Sequence, residues 1–134
     1  MERRMKHLEM IQGVINRLST NSFLLKGWSV VLVSALFALS AKDRNPAFVY
    51  LACFPALALW ALDGYFLWQE RLYRALYNMV RAMKEDEIDF SMDTFIVRET
   101  TPNWIFTVFS KTLLMFHGLI TATIIVVMLY IAIN

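Results

Sequence analysis

Three runs of mostly apolar side chains, residues 23–41, 47–69 and 112–133, constrain this chain more than any other feature. The first run is 19 residues long with Lys26 as its only charge, and the third is an uncharged stretch of 22 residues, Thr112 to Ile133. A helix needs about 20 apolar residues to cross the hydrocarbon layer of a bilayer, so each run is long enough. Inside hydrocarbon the backbone finds no water to bond, which leaves helix as the conformation open to such segments. The expected fold is all-α: an integral membrane protein with three transmembrane helices, an N-terminal amphipathic helix and a cytoplasmic extension of the second span. Composition agrees, because a 134-residue chain that is 58% apolar and only 18% charged carries more apolar surface than a soluble domain of this size can bury.

The pattern divides the chain into four segments: 1–22, 23–69, 70–103 and 104–134. In the first, Met5, Leu8, Ile11, Ile15 and Leu18 recur at spacings of three and four, opposite Arg3, Arg4, Lys6, Glu9 and Arg17. Such a helix either lies in the headgroup plane or packs on the later cytoplasmic helix. Thr20-Asn21-Ser22 favours a cap or turn, so a new helix is expected to start there. Ala38-Leu39-Ser40 resembles a cleavage site, but the preceding region is long and amphipathic, so the first span is expected to be retained. The charged turn from Lys42 to Pro46 closes a tight hairpin, and Pro55 is expected to kink the second span.

The helix then continues past Gln69 without a breaker. Glu70, Arg71, Arg74, Arg81 and Lys84 lie on one side of Leu72, Leu76, Met79, Val80 and Met83, and Glu70 and Arg74 form an i,i+4 pair. The acidic cluster Glu85-Asp86-Glu87 is expected to end it. Residues 89–103 read as an irregular connection in which Phe95-Ile96-Val97 can form a short strand. Trp104 to Ser110 is suited to the membrane interface at the start of the third span.

Orientation follows from the basic residues outside the spans. Nine lie before the first span or between the second and third, two lie in the hairpin, Lys42 and Arg44, and none follows the third span. This bias places the N-terminus in the cytoplasm and the C-terminus outside. Lys26, Asp63, Lys111 and His117 then all fall toward the cytoplasmic leaflet. A charge at the centre of a membrane helix costs ~3 kcal/mol, so the lysines should snorkel and Asp63 should seek a cation or water; pairing of Asp63 with Lys26 across the hairpin is expected.

The residues for catalysis are missing. There is no phosphate-binding glycine loop, no zinc or EF-hand spacing and no nucleophile elbow, and the chain has only four glycines. Cys53 stands alone in an apolar stretch, and His7 and His117 are far apart. The expectation is a protein that is not an enzyme and uses no cofactor or metal. The net charge of +2 comes without a long basic run, which argues against a nucleic-acid partner. The expected partners are the lipid bilayer, further copies of the chain and a cytoplasmic protein. Three short spans cannot enclose a solute path alone, so conduction requires a homo-oligomer, for which Ala35, Ala38, Ser40, Ala41, Gly118, Thr121 and Ala122 offer small contact residues.

From Met5 to Met83 the order of an amphipathic helix, a membrane hairpin and a long cytosolic helix resembles the SLATT group of small bacterial membrane proteins. The third span, Thr112 to Ile133, departs from the simplest layout of that group, and no residue motif carries across. The resemblance implies a bacterial inner membrane and a pore-forming or membrane-perturbing effector of anti-phage defence. The rival reading is an accessory or anchoring subunit that docks a larger protein through the helix bearing Glu70, Arg71, Arg74 and Arg81, as a helix laid in a groove. Single cysteines placed at Arg74 and at Asn134 in a Cys53→Ala background test the orientation. An impermeant maleimide should label only Asn134→Cys from outside; labelling of both from one side refutes the topology.

Overall fold

The computed structural model describes residues 2–134, and every regular element among them is helical. In chain order these are α1 (Glu2–Asp43), α2 (Ala47–Leu51), α3 (Cys53–Arg81), α4 (Trp104–Val108) and α5 (Lys111–Ile133), with single 3-10 segments at Glu85–Glu87 and Phe95–Thr100. Three stretches are long and apolar enough to cross a membrane: α1, α2 and α3 together, and α5.

The first departure from expectation is α1. It passes without a break through Thr20-Asn21-Ser22, so the amphipathic segment is not a separate helix in the headgroup plane. The polar side chains there do not compete with the helix backbone. The Thr20 hydroxyl donates back to the carbonyl of Asn16 at 3.0 Å, and Ser22 donates across to Asp63. At 1.5 Å per residue, 42 residues make a rod about 63 Å long, roughly twice the hydrocarbon thickness. The rod ends where Arg44 takes a left-handed conformation (φ 51°) and the Asn45 amide reaches back to the Ser40 carbonyl at 3.1 Å, a Schellman-type stop. The Asn45 side chain then accepts the Ala47 amide at 3.0 Å to start α2.

Pro55 acts one turn upstream, as a proline should. Its ring removes the amide that would bond the Leu51 carbonyl, and the helix is interrupted at Ala52 between α2 and α3. The ladder resumes at once, with the Ala56 amide donating to the Ala52 carbonyl at 3.2 Å, which makes this a kink rather than a break.

α3 returns antiparallel along the whole of α1, and their contact is the backbone of the fold. Two apolar clusters form along it. At the hairpin end Val33, Val49, Ala52, Ala56 and Ile124 join α1, α2, α3 and α5. At the open end Ile11 and Ile15 close on Leu72, Leu76 and Val80, with Ile88 and Val97 folded in from the connection. The centre of the expected stripe, Ile11 and Ile15, is thus buried on α3, with Leu8 packed partly against it and Met5 exposed. Fully burying a leucine or isoleucine contributes about 1.5–3 kcal/mol, enough for the seven buried residues of the open-end cluster to hold a two-helix clamp.

The connection corrects three further expectations. α3 ends at Arg81, ahead of the acidic cluster, and Glu85 turns back to accept the backbone amides of Arg3 and Arg4 at the start of α1. A carboxylate on a helix N-terminus satisfies orphan amides and meets the positive end of the dipole. Phe95-Ile96-Val97 opens a 3-10 helix instead of a strand, started by Asp93 accepting the Phe95 amide at 2.9 Å. Residues 104–134 are two helices, not one. In a continuous helix the Val108 carbonyl would accept from Thr112; here it accepts the Trp60 indole N–H at 2.9 Å, and the chain turns at Phe109 and Ser110.

Little of the apolar surface in the long helices is covered by the chain itself. Only 11% of the most apolar window of α5 is buried, against 28% for the α2–α3 span. Replacing Leu76, fully enclosed in the open-end cluster, with alanine should cost about 2–5 kcal/mol, while Ile125→Ala on the outer face of α5 should cost under about 1 kcal/mol in detergent. Denaturant titration followed by circular dichroism measures both; equal losses contradict the assigned packing.

Candidate functional site

Between the two apolar clusters lies a layer of polar side chains centred on Asp63. The carboxylate is completely buried, and one oxygen, Oδ2, stands 2.7 Å from Lys26 Nζ and 2.7 Å from His117 Nε2. The other oxygen accepts the hydroxyl proton of Ser22, and Lys26 Nζ also donates to Ser22 Oγ at 2.9 Å. An ionised carboxylate only accepts, so His117 presents Nε2–H to it. The carboxylate of Asp63 and the ammonium of Lys26 offset each other's charge.

Each helix supplies its part for a local reason. Ser22 and Lys26 are one turn apart on α1, so they share the face turned to α3. Lys26 keeps 21% of its side chain exposed, a stem that reaches in from the edge, whereas His117 is 1% exposed and comes from the third helix. The network is walled by rings. Trp60 lies flat on His117, with centroids 6.0 Å apart and planes 9° apart, and Phe116 meets it edge-on at 5.0 Å. The Lys26 ammonium sits 5.9 Å over the Phe116 ring.

α4 closes the remaining side. A Cβ on Gly64 would overlap the Val108 side chain, so glycine beside Asp63 is what lets α4 approach α3 this closely. The indole N–H of Trp104 in α4 also donates to the Ala61 carbonyl at 3.1 Å. Tethering α4 at both ends sets where α5 begins and hence the height of His117.

Of the four ionisable residues expected to share one depth, Lys26, Asp63 and His117 meet and Lys111 does not. Lys111 is exposed at the first position of α5, apart from the cluster. Pairing of Lys26 with Asp63 across the hairpin is as expected; His117 as a second partner, and Ser22, Trp60 and Gly64 as supports, were not singled out. For Ser22 and Lys26 the i,i+4 spacing was a usable signal; for Gly64 none was present. The residues expected on a partner-binding helix are spread on its outer side: Glu70 pairs with Arg74 at 3.2 Å, Arg81 is exposed and Arg71 is half-buried. The apolar stripe beside them, Leu72, Leu76 and Val80, is occupied by Ile11 and Ile15 of the same chain. A groove-type partner would have to displace α1.

Among the described residues no group of three histidine, cysteine or acidic side chains is placed to hold a metal. Cys53 is half-buried, its Sγ 3.6 Å from the sulfur of Met128. The arrangement carries charge at a buried position shared by three helices.

Breaking a buried pair by removing one partner costs about 3–5 kcal/mol when the survivor stays buried. Lys26→Leu strands the wholly buried Asp63, so it should lose about 3–5 kcal/mol; Asp63→Asn removes the buried charge, leaves Lys26 free to snorkel outward and keeps one acceptor oxygen, so it should lose about 1–3 kcal/mol. Unfolding in mixed micelles reads both, and a larger loss for Asp63→Asn contradicts the burial asymmetry. No known protein family, curated protein or solved structure matches the chain, so a functional reading rests on this geometry.

Proposed function

We propose that the chain is a small oligomeric membrane effector whose three spans are held in a resting arrangement by the Asp63 cluster and whose rearrangement in an assembly opens a leak. The observation that carries this reading is a buried cation–anion pair inside the apolar part of the molecule. Along α1, Lys26 lies about 24 Å from Lys42 at the hairpin end; along α5, His117 lies about 24 Å from Ile133. With a hydrocarbon layer of ~30 Å starting at those ends, the cluster sits about 6 Å inside its cytoplasmic boundary. Ionisable residues turned into a membrane bundle mark candidate ion or water paths, and a buried ion pair is weak evidence for a purely stabilising role.

A single copy has no path. Side chains of Val33, Ala56 and Ile124 fill the bundle beyond the cluster, and Ile11, Leu72 and Leu76 fill it below. Several copies can share a lumen, and the poorly covered surface of α5 offers the contact area. On a wet lumen Asp63 and Lys26 are solvated by water instead of by each other, so the resting and open states differ by a modest free energy, as a switch requires. The N-terminal clamp of α1 on α3, pinned by Glu85, is the cytoplasmic element on which a signal or partner acts, and the oriented membrane is the bacterial inner membrane with the N-terminus in the cytoplasm.

The double variant Lys26→Leu with Asp63→Asn removes both charges and keeps side-chain volume, a change that often leaves stability intact. High expression of the wild type should depolarise cells or release dye from vesicles, and the double variant, inserted to the same level, should not. Intact potential with the wild type, or an equal leak from the double variant, contradicts the proposal.

A further inference from the structure

Beside the buried cluster, on the outer face of α1, two open clefts adjoin and share one residue, Asn21. The first, about 300 Å³, is lined by Asn16, Arg17, Thr20 and Asn21. The second, about 260 Å³, is lined by Asn21, Leu24, Leu25, Trp28, Leu62 and Phe66. The lining residues therefore change along α1, from polar and cationic toward its N-terminus to apolar toward the hairpin. Along the helix from Asn16 to Trp28 the two clefts span about 18 Å.

From this geometry we infer that the two adjoining clefts together bind one phospholipid of the cytoplasmic leaflet, with an anionic headgroup on Arg17 and an acyl chain along Leu24, Leu62 and Trp28. Three observations fit one occupant. Arg17 is exposed and makes no ion pair or hydrogen bond with another described residue, and the Asn21 amide likewise has no partner, so a charge and a hydrogen-bonding group face the polar half unused. The change in polarity falls at Asn21 and Ser22, the height at which the depth reckoning above puts the hydrocarbon boundary. The apolar half ends on Trp28, 57% exposed, and Leu62, 42% exposed, which a soluble anion would leave uncovered. A guanidinium takes a phosphate in a fork of two hydrogen bonds, and a soluble phosphate lacks the tail that the second cleft accommodates.

The inference rests on the membrane placement in the proposed function and not on the leak, so vesicles that hold their potential leave it standing. Native mass spectrometry of the detergent-released protein, exchanged with phosphatidylglycerol or phosphatidylcholine, tests it. Phosphatidylglycerol should be retained about fivefold more than phosphatidylcholine by the wild type, the factor expected for one basic side chain near a lipid surface, and Arg17→Gln should bring the two level. Leu62→Trp, which fills the apolar half, should reduce both lipids, and glycerol phosphate in excess should displace neither. Arg98→Gln, a basic change outside the clefts, should leave the ratio unchanged. Equal retention of the two lipids by the wild type, an unaltered ratio in Arg17→Gln, displacement by glycerol phosphate, or the same loss in Arg98→Gln overturns the inference. Arg17 is exposed and makes no ion pair or hydrogen bond with another described residue, so its replacement is expected to fold, and a melting curve on the same sample verifies that.

Discussion

A carboxylate placed among apolar helices has to be met by donors, and the way Asp63 is met organises this molecule. Lys26 and Ser22 bind it from α1 and His117 binds it from α5, each within hydrogen-bond distance. Without those donors the charge would cost several kcal/mol at that position; with them it ties three otherwise apolar helices at one height and one rotation. Apolar packing between membrane helices is weakly directional, since lipid tails are as good a solvent as leucine. A polar tie with fixed geometry gives the register that packing alone leaves soft.

The tie also divides the bundle. On one side the hairpin-end cluster joins all three long segments; on the other the open-end cluster joins only α1 and α3 with their connection. The two cores are built for different surroundings. The first is thin and leaves most of its helices bare, as lipid-facing elements are, while the second is closed over by Ile88 and Val97 and finished by Glu85 on the start of α1. In the proposed switch, movement of the clamp would reach Lys26 along α1, a single unbroken helix. The continuity of α1 comes from Thr20 and Ser22 bonding in ways that leave the helix ladder intact.

How much of this could be read from the residues depends on the range of the forces involved. The three long apolar helices, the Lys42–Pro46 turn, the interruption before Pro55 and the burial of Ile11 and Ile15 are properties of local composition and spacing, whereas Met5 on the same stripe stays exposed. The pairing of Lys26 with Asp63 was legible too, because an antiparallel hairpin with a short turn brings together positions equally far from it. What stayed hidden needed a third dimension. Thr20-Asn21-Ser22 reads as a turn until Asp63 is known to accept from Ser22. The split between α4 and α5 depends on Trp60 claiming the Val108 carbonyl, and the stripe on α3 looked free for a partner because its cover, Ile11 and Ile15, lies more than fifty residues away. Lys111 was placed with the cluster by depth alone, and depth does not specify which face of a helix a side chain occupies.

The central claim is that Asp63 is shared between α1 and α5 in the bilayer. Solid-state NMR on protein reconstituted in lipid, labelled with ¹⁵N at His117 and ¹³C at Asp63, measures it directly. A through-space dipolar coupling between the two labels, as a hydrogen bond of 2.7 Å from His117 Nε2 to the Asp63 carboxylate oxygen requires, is the result this account predicts. A carboxylate signal with no coupling to the imidazole would contradict it, because α5 would then be held to the hairpin by apolar contact alone.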